Sequence, residues 1–283
     1  PGNVPNKTGV RLFHVISPGN VTITNVTFQR GYHNMSGGAF LLEGGTAYFV
    51  DCIFKENFVE LNGAGMFATA GATLTLVRTK FVHNQARQGG GLSIGYNMMF
   101  SKQDPCSVFI TDSIFSKNFV SHERWNGGYT LEHYGLDSVA LFRTRQHYGA
   151  GMFVGGGNVV LMRVHFTDNE AGNRPSVGWG AGAGLTAIEG SVKLFFCYFG
   201  NNFAAVKSPA IFADSVILLY RPTFSPDKDG EDPSTRLSLK MVKCAGDTCH
   251  ALIGPYIAGG FPKSGIECTE FEYTRGVMCS ECP

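Results

Sequence analysis

Residues 81–95 read FVHNQARQGGGLSIG. Asn84 follows Phe81 by three residues, and three consecutive glycines precede the next apolar run. Asn and Gly tolerate the backbone angles that tight turns require, so the stretch predicts two corners between short strands. The fold depends on whether this pattern is a single turn or one copy of a repeat.

The pattern is one copy of a repeat. Each copy has two apolar residues at alternate positions and a Phe five residues later, and most copies have an Asn three residues after that Phe. A seventh copy ends at Phe224, and Phe28 and Phe54 are 26 residues apart. This base period lies in the range of solenoid proteins. The repeated residues are Phe28, Phe54, Phe81, Phe115, Phe166 and Phe199, with Asn57, Asn84, Asn118, Asn169 and Asn202.

The alternation of apolar and polar residues within each copy predicts β-strands. Two or three short strands cannot pair within one copy, so they must pair with the copies before and after it. The sequence therefore predicts an all-β fold: a right-handed parallel β-helix of about seven or more coils over residues 1–224, with an insertion near residues 121–148. Each coil would rise by ~4.8 Å, the spacing of paired strands.

Stacking of equivalent residues gives the repeated side chains structural roles. We expect each Phe to lie on the Phe of the next coil in the interior. We expect each Asn to occupy a corner with positive φ and to bond through its amide to the equivalent Asn one coil away. The glycines would form the next corner, where a Cβ atom would clash.

The eight cysteines fall into two groups. Cys52 and Cys197 each precede their repeat's Phe by two residues, an inward position, and lie about 19 Å apart at the strand spacing, so both are predicted to be buried free thiols. The other six are candidates for three disulfides of open connectivity. A zinc site at Cys279-x-x-Cys282 is the rival interpretation. These six are Cys106, Cys244, Cys249, Cys268, Cys279 and Cys282, and residues 225–283 are expected to form a linker and a small disulfide-rich tail.

Composition and sequons indicate the secretory pathway. The formal net charge is +1, which argues against an electrostatically driven nucleic-acid binder. Apolar runs are diluted with Gly, Thr and Asn, so no membrane span is expected. Four N-x-[ST] sequons, at Asn6, Asn20, Asn25 and Asn34, are candidate glycosylation sites and favour an extracellular or cell-surface protein.

Two segments are candidates for binding. The insertion carries aromatic and basic side chains that could grip a glycan or a neighbouring subunit, although a loop that caps strand edges is an equal alternative. The stretch 227–232, DKDGED, partly resembles a calcium loop but lacks its full spacing. No other cofactor or metal is expected. The residues of the insertion are Trp125, Tyr129, Tyr134, Arg143, Arg145 and His147.

Phe-x-x-Asn followed by Gly-Gly-Ala-Phe or Gly-Gly-Gly-Leu resembles the repeats of the chlamydial polymorphic outer-membrane proteins. Matching motifs span roughly residues 20–225, for example 54–57, 81–84, 37–40 and 89–92. The resemblance implies the pectate-lyase-like β-helix superfamily and a surface, often adhesive, role. Residues 276–283, GVMCSECP, resemble the start of an ephrin-receptor-like cysteine-rich module, which implies that the parent polypeptide continues.

Enzymes of that superfamily need clustered carboxylates. Their typical Asn-Thr-Asp, Asp-Asp, Gly-His-Gly and Arg-Ile-Lys segments do not occur in this sequence. Asp51 and Asp112 share an outward register with Arg78 and Arg163, which predicts a mixed-charge surface ladder and no catalytic site.

The sequence thus predicts a non-catalytic structural or adhesive module of a larger surface glycoprotein or filament. Its expected partners are other extracellular proteins or copies of itself, and glycans are a further candidate. The alternative is a polysaccharide lyase or hydrolase.

Overall fold

The computed structural model describes residues 10–95, 104–120, 147–172, 180–204, 210–225, 237–244 and 266–267. Within these ranges the regular structure consists of β-strands alone, thirty in number. We group them by the seven sequence repeats, and we number the repeats 1–7.

Repeats 1–3 each contribute four short strands. Repeat 1 contains β1 (Phe13–Ile16), β2 (Asn20–Thr24), β3 (Thr27–Gln29) and β4 (Tyr32–His33). Repeat 2 contains β5 (Phe40–Glu43), β6 (Thr46–Val50), β7 (Ile53–Lys55) and β8 (Phe58–Val59). Repeat 3 contains β9 (Met66–Thr69), β10 (Thr73–Val77), β11 (Lys80–Val82) and β12 (Gln85–Ala86).

Repeats 4–6 keep the four strands, and two further short strands precede repeats 5 and 6. Repeat 4 contains β13 (Leu92–Ile94), β14 (Ser107–Thr111), β15 (Ile114–Ser116) and β16 (Phe119–Val120). After β17 (His147–Tyr148), repeat 5 contains β18 (Met152–Val154), β19 (Asn158–Met162), β20 (His165–Thr167) and β21 (Glu170–Ala171). After β22 (Gly180–Ala181), repeat 6 contains β23 (Leu185–Ala187), β24 (Ser191–Phe195), β25 (Tyr198–Gly200) and β26 (Phe203–Ala204).

Repeat 7 fuses its first two strands into β27 (Ile211–Tyr220), which is followed by β28 (Thr223–Phe224). Beyond it, β29 (Leu237–Cys244) pairs in parallel with β27, and β30 (Ile266–Glu267) pairs in parallel with β29. Parallel pairing therefore extends into the segment expected to be linker and tail. The sequence of β29, LSLKMVKC, keeps the apolar alternation that such pairing needs.

Equivalent strands of successive repeats form four parallel sheets. The first sheet runs from β1 to the first half of β27, the second from β2 to its second half, and β27 joins the two into one sheet of fifteen strands that includes β29 and β30. The third sheet contains seven strands, from β3 to β28, and the fourth contains six, from β4 to β26. The pairing is in phase with the sequence repeat: Phe81 pairs with Phe54 on one side and Phe115 on the other. An all-β chain of stacked, registered parallel sheets is compatible with a parallel β-helix.

The interior contains a continuous column of phenylalanine rings, because each of these side chains points inward from the third sheet. Ring centroids of neighbours lie 4.6–5.4 Å apart, with planes within 20° of parallel, from Phe28 to Phe224. In the second sheet the alternate residues Leu74 and Leu76 are fully buried, while Thr73 is exposed. The apolar period of two thus produces one buried face and one outer face.

The three glycines of the opening stretch form the corner that leads into β13. Gly89 has φ +59°, and a Cβ atom on Gly91 would lie 2.6 Å from the carbonyl oxygen of Gly151 in the next repeat. Only glycine avoids both the strained backbone angle and this close approach.

The expectation of positive φ at the repeated asparagines is wrong. The residue immediately before the Asn takes this angle, as at Glu56 (φ 56°), His83 (φ 55°) and Lys117 (φ 55°). The preceding residue makes the turn, which leaves the Asn side chain directed into the stack.

Cys106 differs from the expectation that it forms a disulfide. It is a free cysteine, fully buried in the same apolar core as Cys52 and Cys197, which are also free. Burial raises the pKa of the Cys106 thiol, and it raises that of Cys197 to about 12.

Candidate functional site

The repeated asparagines stack into one buried column, which we call the asparagine column. The hydrogen bonds of their side chains join one repeat to another. Asn84 Nδ2 donates to Asn118 Oδ1 (3.0 Å) and to the carbonyl oxygen of Phe54 (2.9 Å). The backbone N–H of Asn84 donates to the same Oδ1 of Asn118 (3.1 Å). The pattern recurs from Asn57 to Asn202. These buried amides are saturated, which makes them structural and not reactive groups.

A second column of side chains lies outside, at the turn between the second and third sheets. It contains Asp51, Arg78, Asp112 and Arg163, whose φ angles lie between 48° and 54°. The backbone N–H of each donates to the carbonyl of the next repeat, for example Asp51 to Val77 (3.0 Å). We call these four residues the charge ladder.

The charge ladder consists of two bidentate ion pairs. Arg78 Nε and Nη2 donate to the two carboxylate oxygens of Asp51 at 2.7 and 2.8 Å. Arg163 makes the same contacts with Asp112 at 2.6 and 2.9 Å. Such forks are the strongest geometry for an exposed ion pair.

The electrostatics of the ladder keep both acids ionised. Hydrogen bonds from Arg163 and Thr111 lower the pKa of Asp112 to about 2, and the hydrogen bond from Arg78 lowers the pKa of Asp51. A general acid requires the opposite shift, because it must hold a proton near neutral pH. These two carboxylates are therefore unsuited to act as general acids.

Beside the ladder, the outward side chains of the second sheet form a surface with an unusual apolar content. Tyr48 and Phe109 are 40% and 37% exposed, and Phe196, in the same turn as the ladder, is 46% exposed. We call the two outward columns nearest the ladder, together with the ladder, the outer face. The first column contains Thr22, Tyr48, Thr75, Phe109, Val160, Lys193 and Leu218, and the second contains Thr24, Val50, Val77, Thr111, Met162, Phe195 and Tyr220.

Sequence reasoning missed the outer face as a site. The signal was present in the repeat register, because Tyr48 and Phe109 occupy the position between the two inward anchors of their strands, where a side chain must point outward. Exposed aromatic side chains grouped on one face indicate a contact surface.

A third cluster of polar side chains lies at the first repeat. His14 Nε2 and Glu43 Oε2 are 3.0 Å apart, and Arg11 lies 3.2 Å from the ring of His33. Burial, with Arg11 and His14 nearby, lowers the pKa of His33. Arg11 also donates to the carbonyl oxygens of Ser36 (2.9 Å) and Gly37 (3.1 Å), and His33 Nδ1 accepts from the N–H of Met35 (3.1 Å). These bonds fix the chain between β4 and β5, so the cluster has a structural explanation.

The candidate glycosylation residues in the described ranges all lie in repeat 1. Asn20, Asn25 and Asn34 are exposed, and Asn6 lies outside the described residues. Asn25 has φ 55° and continues the turn column that contains the charge ladder.

The remaining candidates fall largely outside the described ranges. His147 belongs to β17, whereas Trp125, Tyr129, Tyr134, Arg143 and Arg145 lie outside. The calcium-like stretch 227–232 and four tail cysteines, Cys249, Cys268, Cys279 and Cys282, also lie outside, while Cys244 ends β29. In the described part of the chain no His, Cys, Asp and Glu side chains group so that three could hold a metal ion.

No protein-family model, curated protein or solved structure matches this chain. The resemblances to the chlamydial repeats and to the cysteine-rich module therefore have no support from a family match. Over the described ranges, no helix has the length and apolar character needed to cross a membrane.

Proposed function

We propose that this chain is a non-catalytic structural or adhesive module of an extracellular protein, built as a right-handed parallel β-helix of the pectate-lyase-like kind. One observation carries the proposal: the repeated polar side chains bond from repeat to repeat. The asparagine column and the two arginine forks hold neighbouring repeats together. A chain that uses its regular polar groups in this way gains rigidity along the stack.

The extracellular assignment is supported by the three exposed sequon residues of repeat 1. An N-glycan needs an asparagine side chain with free space around it, and Asn20, Asn25 and Asn34 offer this. The proposed disulfides of the cysteine-rich tail fit the same oxidising compartment.

Secretion of the chain from a eukaryotic cell tests the location. We expect mass spectrometry to find N-glycans at Asn20, Asn25 or Asn34 and enzymatic deglycosylation to lower the mass. Unmodified asparagines in secreted protein would contradict the extracellular assignment.

Incubation with a panel of acidic and neutral polysaccharides tests the absence of catalysis. We expect no new reducing ends and no unsaturated products at any pH between 4 and 9. Clear turnover would favour the alternative, a polysaccharide lyase or hydrolase. As a control, the double variant Asp51→Asn/Asp112→Asn would separate turnover through the charge ladder from a contaminating activity.

A further inference from the structure

The outer face combines exposed aromatic side chains with a ladder of alternating charges. Tyr48 and Phe109 stand exposed in its first column, and the four ladder residues in the turn beside them alternate in sign and sum to zero. The same turn continues with Phe196 and Arg221 in repeats 6 and 7. A partner with a high charge of one sign, such as a nucleic acid or an acidic polysaccharide, gains nothing from such a ladder. A partner whose charges alternate with the same spacing gains an attractive contact at every repeat.

The ladder is complementary to its own reversed copy. Its order along repeats 2–5 is Asp51, Arg78, Asp112, Arg163. Consider a second copy that faces the first and is related to it by a two-fold axis parallel to the strands, between repeats 3 and 4. This rotation reverses the order of the repeats, and each column of one copy still faces the same column of the other. Asp51 then faces the second copy's equivalent of Arg163, and Arg78 faces the second copy's equivalent of Asp112.

The same rotation matches large side chains with small ones in the first column. Tyr48 of repeat 2 faces the equivalent of Val160, and Phe109 of repeat 4 faces the equivalent of Thr75. A two-fold contact of this kind uses one patch on both copies. Two sheets packed in this way have aligned strands of equal spacing, so the match repeats along the stack.

We propose that two copies of this chain associate through their outer faces, antiparallel along the stack, with the charge ladders paired in opposite order. The inference rests on the proposed structural function and names its partner as a second copy. The face is about 13 Å wide and 29 Å long at standard strand dimensions, on the order of 400 Å² per copy. This area belongs to the weak, transient class of interfaces.

Repeat 1 lies at the end of the contact, where Asn20 and Asn25 are exposed. Because repeat 1 of one copy faces repeat 6 of the other, large glycans at these residues would weaken the association. The test therefore uses the secreted chain after its glycans have been trimmed enzymatically.

Charge swaps separate association from folding. The variant Asp112→Arg/Arg163→Asp keeps an ion pair within the chain but changes the ladder order to minus, plus, plus, minus. Its reversed copy then presents like charges at every step. The variant Asp51→Arg/Arg78→Asp has the opposite order, and it also repels itself. The charges of one double variant are opposite to those of the other at every position, so the two can pair with each other. The variant with all four substitutions, the fourfold swap, is again complementary to its own reversed copy.

Sedimentation equilibrium up to several hundred micromolar is the measurement. We expect the parent chain and the fourfold swap to dimerise, each double swap to associate at least tenfold more weakly, and an equimolar mixture of the double swaps to form a heterodimer. Swapping Arg30 and Glu56, an ion pair at the other turn (3.3 Å), should leave the dimer unchanged.

A monomeric parent chain, or double swaps that dimerise as well as the parent, would overturn the proposal. Monomers that bind neutral oligosaccharides through Tyr48 and Phe109 would likewise replace it with a glycan-binding face. These results leave the polysaccharide turnover test untouched, so failure of the dimer is distinguishable from failure of the proposed function.

Discussion

At the scale of single residues, the fold depends on asparagines whose side chains link as many as three repeats. The Asn118 side chain donates to Phe81 of the preceding repeat and Asn169 of the following one, and accepts from Asn84. Sequence spacing predicted the bond from Asn to Asn, because residues at equal positions in a solenoid must stack. It did not reveal which corner residue has positive φ, since Glu56, His83 and Lys117 have different side chains and share no preference for this angle.

Replacement of Asn118 by alanine measures the value of this column. The change leaves the buried polar partners of its amide without their bonds, so we expect a loss of about 2–4 kcal/mol in the free energy of unfolding. Urea unfolding checks the value. Asn158→Ala, at an exposed asparagine of the second sheet, is the matched control and should change stability by less than about 0.5 kcal/mol. Equal losses at the two sites would mean that the column has no special role.

Asp112 provides a prediction for pH. Its pKa in the folded chain is about 2, below the ordinary 3.8, so its carboxylate stabilises the fold above pH 3.8 and loses this effect as the pH falls through about 2. Carbon NMR of the side-chain carboxyl should give a midpoint near 2. Arg163→Met should raise that midpoint, and a midpoint near 3.8 in the parent chain would contradict the arginine fork.

At the scale of strands and corners, the first, second and third sheets were foreseeable because their apolar residues alternate and recur with the repeat. The fourth sheet was harder to predict, since its strands, such as β8 and β12, contain only two residues. The pairing of β29 was missed because residues 226–236 interrupt the repeat spacing. The outer face was missed because apolar residues were assigned to the interior, although period two sends Tyr48 and Phe109 outward.

The glycine corner gives the prediction for this scale. A methyl group on Gly91 would meet the backbone oxygen of Gly151 at 2.6 Å, whereas nothing lies within 4 Å of a methyl group on Gly156. We expect Gly91→Ala to cost about 2–4 kcal/mol of stability or to prevent folding, because backbone atoms cannot move aside cheaply. Gly156→Ala should be close to neutral by thermal unfolding. Equal tolerance of the two changes would refute the close packing of repeats.

At the scale of the whole molecule, the same register that buries the aromatic column also orders the outer face. Any property repeated in sequence, whether a ring, an amide or a charge, becomes a row along the stack. A row of interior amides provides stability, and a row of alternating charges provides a surface that a second copy can match. The sequence could predict the rows, but the partner depends on exposure, which only the packed chain reveals.

The central claim is that residues at equal positions in the repeat lie directly above one another. Double electron–electron resonance tests it most directly, because this method measures the distance between two spin labels. The labels are placed on the outward positions Asn20, Thr46, Ser191 and Val216, and the labelled protein is diluted with unlabelled chain. The pairs 46–191, 46–216 and 20–216 span four, five and six repeat steps by the strand register, so the distances should be about 19, 24 and 29 Å, apart from a common label offset. Distances that fail to grow by about 5 Å per repeat would contradict the account.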